Sequence, residues 1–336
     1  MKLTVNPKLT VNPAVQAIRR RTRRLTAMAL ILFISLGCGD RQQPVSSIKR
    51  IDEPAKTYTD PQTGRDPFIS ATAFLDSAPE TRANWVIIDA RQSEAYNEGH
   101  LPGAVHLDPS AFRRITMSAD GTAVYSAHQT AETDFEPIAD VALHAERVVV
   151  VGYATDGYAA QASVWLLNIL PEPQISILDG GYKILEARGA DLSDRRVRRA
   201  SLPRHLGRAD DWLTVSLSPT GDSEPLLLDV RSYDDYRGLK KTPGAFNAGC
   251  LRGSVSLFAF ELCDPVSGEA LPLGQVADIA RAYPLSGRDI IIIGDGRGLE
   301  CLAWRLLTLS GVSRARIALG GFPAFSANPD ALDVRK

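Results

Sequence analysis

Metal-ligand spacing is missing from this 336-residue chain: its four cysteines and five histidines nowhere fall into a CxxC or HxxxH pattern, which leaves metal ligation without support. A dinucleotide fingerprint is missing too. The run Gly294-Asp295-Gly296-Arg297-Gly298 lacks the G-x-G-x-x-G spacing and an acidic partner strand at the expected distance. A basic surplus is absent from the body of the chain. Of 38 Lys and Arg, seven lie in residues 1–38, which contain no acid, so the remainder has 31 basic against 39 acidic side chains, a balance of −8. A nucleic-acid-binding body would normally be basic, and no nucleic-acid partner is expected. Long apolar runs are absent as well: LTAMALILFISLG (25–37) falls short of the roughly 20 residues a membrane span needs. What is present is an ordinary globular composition, 44% hydrophobic and 23% charged, in a chain long enough for two domains.

The first 38 residues have a plan of their own. Lys2, Lys8, Arg19, Arg20, Arg21, Arg23 and Arg24 precede the short apolar run, which ends in Ser35-Leu36-Gly37-Cys38. That order is a charged n-region, an h-region and a cleavage zone, and the last four residues resemble a bacterial lipobox. The resemblance implies that 1–38 is a signal peptide, that Cys38 is lipidated, and that the body sits in the periplasm, anchored by lipid to a membrane of the cell envelope. The alternative is an uncleaved N-terminal anchor. The opening repeat of KLTVNP at 2–7 and 8–13 has no foldable pattern. Residues 39–66 are polar, contain three prolines and read as a flexible tether.

Beyond the tether the same pattern occurs twice. WVIIDAR (85–91) matches PLLLDVR (225–231), with Asp89 and Asp229 140 residues apart. The stretch from Val148 to Leu170 matches Ile290 to Gly311, and Ile175–Tyr182 matches Ala315–Phe322. A period this long means two copies of a domain rather than a solenoid. Each copy alternates β-branched runs with helical stretches, which predicts an α/β fold with a mainly parallel sheet flanked by helices. The expected limits are 67–190 and 212–327, with a linker at 191–211 and a tail at 328–336. The most informative stretch is DIIIIGDGRGLECLAWRLLTLSG (289–311): a buried strand, a glycine loop and a helix closed by Gly311. Strand, glycine loop and helix N-terminus together make an anion cradle.

Asp89-Ala90-Arg91, then Glu94-Ala95-Tyr96, then Gly99-His100-Leu101-Pro102-Gly103-Ala104, with LDGGY at 178–182, resembles the rhodanese family of sulfurtransferases. Two copies resemble the tandem thiosulfate and mercaptopyruvate sulfurtransferases, over about residues 67–327. The second copy keeps Asp229-Val230-Arg231 and Tyr236-Arg237-Gly238, while its third element has decayed to Gly249-Cys250-Leu251-Arg252-Gly253-Ser254. The resemblance implies a persulfide mechanism, in which a cysteine directly after the central strand of the second copy takes sulfur from a donor and passes it to a thiophilic acceptor. The loop-to-Gly311 spacing puts that position on Gly294, and its counterpart in the first copy is Gly152 or Tyr153. Neither copy has the nucleophile. Where tandem members place an arginine just before Tyr-x-Gly, this chain has Asp235.

No catalytic residue of the family type is therefore expected. Gly294, Asp295, Gly296, Arg297, Gly298 and Leu299 remain as a candidate anion-binding loop, with Arg297 its one cation. Cys301 and Cys250 are the substitutes to weigh as displaced nucleophiles, although Cys301 lies within the helix and reads as a small buried residue. Cys250 and Cys263 could pair in an oxidising compartment. His100, Asp89/Arg91 and Asp229/Arg231 read as structural groups, and Trp165 and Trp304 as core. The expected function is a membrane-tethered binding or accessory protein of sulfur or redox metabolism, with no cofactor, whose partner is a protein or a small sulfur-containing anion. The competing expectation is an active thiosulfate or mercaptopyruvate sulfurtransferase using a non-standard cysteine.

Overall fold

The computed structural model describes residues 67–77, 79–108, 113–117, 123–127, 142, 145–154, 156–167, 174–195, 213–214 and 224–334. Cys38, the tether and most of the linker lie outside the described residues. The first repeat runs β1 (Phe68–Ser70), α1 (Ala71–Asp76), α2 (Pro79–Arg82), β2 (Trp85–Asp89), α3 (Ser93–Glu98), β3 (Val105–His106), β4 (Arg113–Met117), β5 (Ala123–Ala127), β6 (Arg147–Val151), α4 (Gly157–Leu166), β7 (Ile175–Asp179) and α5 (Gly181–Ala187). The second opens with β8 (Leu213–Thr214), β9 (Leu226–Asp229), α6 (Tyr233–Arg237), β10 (Cys250–Leu251), β11 (Val255–Ser256) and α7 (Leu273–Arg281). It closes with β12 (Ile290–Ile293), α8 (Leu299–Leu309), β13 (Ala315–Ala318), α9 (Gly321–Phe325) and β14 (Leu332–Asp333).

Each repeat builds a five-stranded sheet with the same order, β1-β7-β6-β2-β3 in one and β8-β13-β12-β9-β11 in the other. Every pairing within these two sheets is parallel. The central strands carry the most β-branched sequences, Val148–Val151 and Ile290–Ile293, all buried. A strand covered on both faces needs apolar side chains in both directions, and a continuous run supplies them. On one face, Val149 and Val151 join a core with Phe74, Leu178 and Tyr182, as Ile291 and Ile293 do with Leu251 and Phe322.

On the other side, α4 and α8 pack against one another across the two repeats. Nine of the ten α4 residues are buried, because a sheet and a second helix cover them. The sequence places Gln161 and Ser163 among them, and Arg305 is equally buried on α8. The Arg305 guanidinium donates through Nη2 to the Ile175 carbonyl of the first repeat at 3.2 Å. Both sheets belong to one compact unit. Two features have no sequence signal: the antiparallel β4–β5 pair, and β14, which lies in the stretch read as a tail and pairs with β10.

Candidate functional site

The loop after β12 lacks room for a side chain at its first position, Gly294. The Gly294 carbonyl accepts the Phe322 N–H at 2.8 Å, which fastens the loop to the Gly320-Gly321 turn. A Cβ placed on Gly294 would overlap Oε2 of Glu300 and stand 2.7 Å from the Glu300 backbone nitrogen. Glu300 lies in the first turn of α8 and is fully buried, so its carboxylate fills the side-chain space of position 294. Gly296 and Gly298 take positive φ, +73° and +107°, which L side chains rarely adopt. Asp295, just before them, accepts the Arg297 N–H at 2.9 Å and its Nε–H at 3.1 Å. Arg297 is thus tied to an acid of its own loop while its side chain stays partly exposed.

The electrostatics run against an external anion. Burial, and next the charge of Glu300, push the Asp295 carboxyl above the ordinary carboxylate range, with Arg297 opposing. The thiols fare no better as nucleophiles. Cys250, Cys263 and Cys301 are all buried thiols outside any disulfide. Burial, then Glu300 and Asp295, hold the Cys301 thiol well above its ordinary value. Burial, with Asp179 and Asp264, pushes Cys263 up to about 12. A thiol with so high a pKa is almost wholly protonated at neutral pH and nearly inert. Cys250 lies in β10 opposite Asp333 of β14, its Sγ 3.7 Å from the Asp333 carbonyl oxygen.

The loop of the first repeat is filled in a parallel way. A Cβ on Gly152 would lie 2.5 Å from Oδ1 of Asp156. The Asp156 carboxylate accepts the Tyr153 N–H at 3.1 Å and the Ala159 N–H at 3.0 Å, capping α4. The Gly152 carbonyl accepts the Tyr182 N–H at 3.0 Å, repeating the Phe322 contact. The two loops touch at their helix N-termini: a Cβ on Gly157 would stand 2.9 Å from the Gly298 carbonyl carbon. The second repeat also lays its 264–270 turn over the first, where the Ala270 N–H donates to Asp179 at 2.8 Å and Lys183 Nζ to the Val266 carbonyl at 2.8 Å. Reciprocally, β5 of the first repeat packs against α9 of the second.

The Asp-x-Arg elements hold these loops in place. Arg91 forks onto Asp89 at 3.1 and 2.8 Å and donates to the Gly99 carbonyl at 2.6 Å, with its guanidinium 3.4 Å from the centre of the Tyr182 ring. Arg231 does the same with Asp229, the Gly249 carbonyl and the Phe322 ring, and also reaches Thr242 Oγ1 at 2.8 Å. Thr242 in turn donates to Asp235, so the acid at the expected arginine position is spent on this network and on Ser232. His100 is buried and stacked on Tyr96, each ring nitrogen facing a backbone carbonyl, that of Tyr96 at 2.9 Å and that of Arg195 at 3.0 Å. Trp304 donates to the Ala315 carbonyl at 2.9 Å, and Trp165 is buried. Among the described residues no group of three His, Cys, Asp or Glu is placed to hold a metal ion, and no helix is long and apolar enough to cross a membrane.

The sequence shows Glu300 as an acid beside the loop, but nothing in it shows that Asp156 and Glu300 fill the two loops. The available signals were the Asp156-Gly157 step of an N-cap and an acid in the first turn of α8, which favours a helix N-terminus.

Residues 75–187 and 216–328 each match the family described as Rhodanese-like domain. The chain is similar to a thiosulfate sulfurtransferase of Azotobacter vinelandii, 28% identical over 196 residues, covering 56% of this chain and 67% of that protein. It is similar also to a thiosulfate sulfurtransferase of Pseudomonas aeruginosa, 26% identical over 186 residues, covering 54% of this chain and 66% of that one. The matches thus span about two thirds of each relative's length. Among solved structures, the anaerobic ergothioneine biosynthesis enzyme from Chlorobium limicola, in complex with its natural substrate trimethyl histidine, shares the fold. Its TM-score is 0.59 at 17% identity, over 79% of this chain and 68% of that one.

Proposed function

The chain belongs to the rhodanese-like domain family, and from that premise we propose that it is a member without persulfide chemistry, acting as a binding or accessory protein in sulfur or redox metabolism. The observation that carries this reading is position 294, a glycine whose side-chain space is filled by the Glu300 carboxylate. Sulfur transfer of the family type needs a thiolate there, and a hydrogen atom cannot hold sulfur. The buried, protonated thiols of Cys301 and Cys263 support the same conclusion. The partner we propose is a protein, since both loops are filled by carboxylates of the chain itself. The body would be held at a membrane surface of the cell envelope by lipid on Cys38, a reading that rests on the n-region, the apolar run and the Cys38 context.

Purified protein lacking residues 1–38 is expected to give no thiocyanate from thiosulfate and cyanide, and no sulfur release from mercaptopyruvate. Turnover that vanishes in Cys301→Ser or Cys250→Ser would overturn the reading and install the sulfurtransferase in its place. Labelled palmitate should appear on the full chain and be absent from Cys38→Ala; equal labelling of both sinks the anchor.

A further inference from the structure

Each repeat puts a carboxylate where the first loop residue would carry its side chain. In the first it is Asp156, four positions after Gly152; in the second it is Glu300, six positions after Gly294. Different residues at different offsets reach the same place with the same chemical group, so the shared feature is an anionic oxygen in the loop. The first repeat shows what such a group gains there: Asp156 collects backbone N–H groups at 3.0 and 3.1 Å. In the second repeat the acid sits in the first turn of an eleven-residue helix, where the helix dipole favours negative charge. Glycine at 294 leaves the volume, and Glu300, fully buried, takes it.

We propose that Glu300 is an intramolecular occupant of the second loop, its carboxylate taking the space of a reactive side chain and closing the loop to small sulfur oxyanions such as thiosulfate. This rests on the reading that the chain lacks persulfide chemistry, and it adds why the loop has not become an anion site instead. Thiosulfate would meet two acids, Asp295 and Glu300, in a space already filled, with the loop's cation, Arg297, bound to Asp295. Removing the Glu300 carboxylate both empties the space and removes one negative charge.

The test uses two pairs of proteins. In Gly294→Cys the introduced thiol competes with Glu300, whereas in Gly294→Cys/Glu300→Ala it has room and one fewer negative neighbour. Iodoacetamide at pH 7 is expected to alkylate the double variant about tenfold faster or more, since each unit of thiol pKa is a tenfold change in thiolate. Equal rates overturn the proposal. The second pair, wild type and Glu300→Ala, has no new side chain at 294 and decides the matter if the first pair does not fold. At constant ionic strength, thiosulfate should raise the melting temperature of Glu300→Ala and leave wild type unchanged. A shift of equal size in both, or in neither, overturns it. Thiocyanate production by wild type would count against the proposed function alone, because the comparisons here are between variants that differ only at residue 300.

Discussion

Asp295 holds its charge against both burial and the neighbouring Glu300. Burial and the Glu300 charge raise its pKa above the ordinary 3.8, so the folded protein binds this proton at a pH where the unfolded chain has released it. The stability that follows is fully present below about 3.8 and is lost as pH rises through the folded value. Asp295→Asn keeps an oxygen for the Arg297 N–H and removes the charge. It is therefore expected to be more stable than wild type at pH 7.5, with the gain disappearing at pH 4, by urea denaturation at both values. A variant less stable at pH 7.5 would refute this assignment. Arg231 presents the opposite case. Its guanidinium is almost wholly buried and compensates Asp229, whose carboxyl burial pushes upward while Arg231 opposes. Arg231→Ala leaves that carboxylate without its counter-ion, and a loss of about 3–5 kcal/mol is expected from denaturant unfolding. Arg231→Lys should recover little, because a point charge cannot fork onto Asp229 and also reach Gly249 and Thr242. A loss below about 1 kcal/mol for the alanine variant would reduce the pair to a surface-like contact.

At the scale of elements, α4 and α8 begin by different devices. Asp156 caps α4 with its side chain, whereas Gly298 opens α8 in a left-handed conformation with no side-chain cap. Asp156→Ala should therefore cost about 1–2 kcal/mol, as lost N-caps do, and α4 should exchange its first amide hydrogens faster. Unchanged exchange at Ala159 would show that the cap carries nothing. The central strands were legible in sequence because burial on both faces demands an unbroken apolar run, and Ile290–Ile293 has no other reading of that length. Gly294 was legible from its spacing to Gly311. The filling of the loops was not. Asp156 and Glu300 look locally like helix-start acids, and only the volume left by a missing side chain elsewhere in the loop turns them inward. Likewise β14 has only two residues and pairs with the distant β10, while β4 and β5, five residues each in a local hairpin, lack the unbroken apolar run that marks β12.

The whole molecule depends on how closely the two repeats approach, and glycine sets that distance. Gly157 and Gly298 face each other with backbone against backbone, and α4 and α8, which begin there, pack against one another with Gln161 and Arg305 buried. Gly157 is the better residue to alter, because its φ is not in the left-handed region while that of Gly298 is +107°. An added methyl at 157 would stand 2.9 to 3.0 Å from the Gly298 carbonyl carbon, the Arg297 oxygen and the Leu299 nitrogen, all of them backbone atoms. Backbone cannot rotate away as a side chain would, so the repeats must separate or the loop must deform. Gly157→Ala is expected to lose about 1–3 kcal/mol, the usual range for overpacking, although alanine is the better helix former by itself. Gly274→Ala serves as the control: it lies in α7 with nothing within 4 Å of the new methyl, and it should be neutral or stabilising by up to about 1 kcal/mol. If the α4–α8 seam couples the repeats, denaturation of Gly157→Ala followed by tryptophan fluorescence and by circular dichroism should also cease to coincide, whereas wild type and Gly274→Ala should unfold in one transition. Equal stability of the two alanine variants would mean that the repeats are held together elsewhere, through the 264–270 turn over Asp179 and β5 against α9.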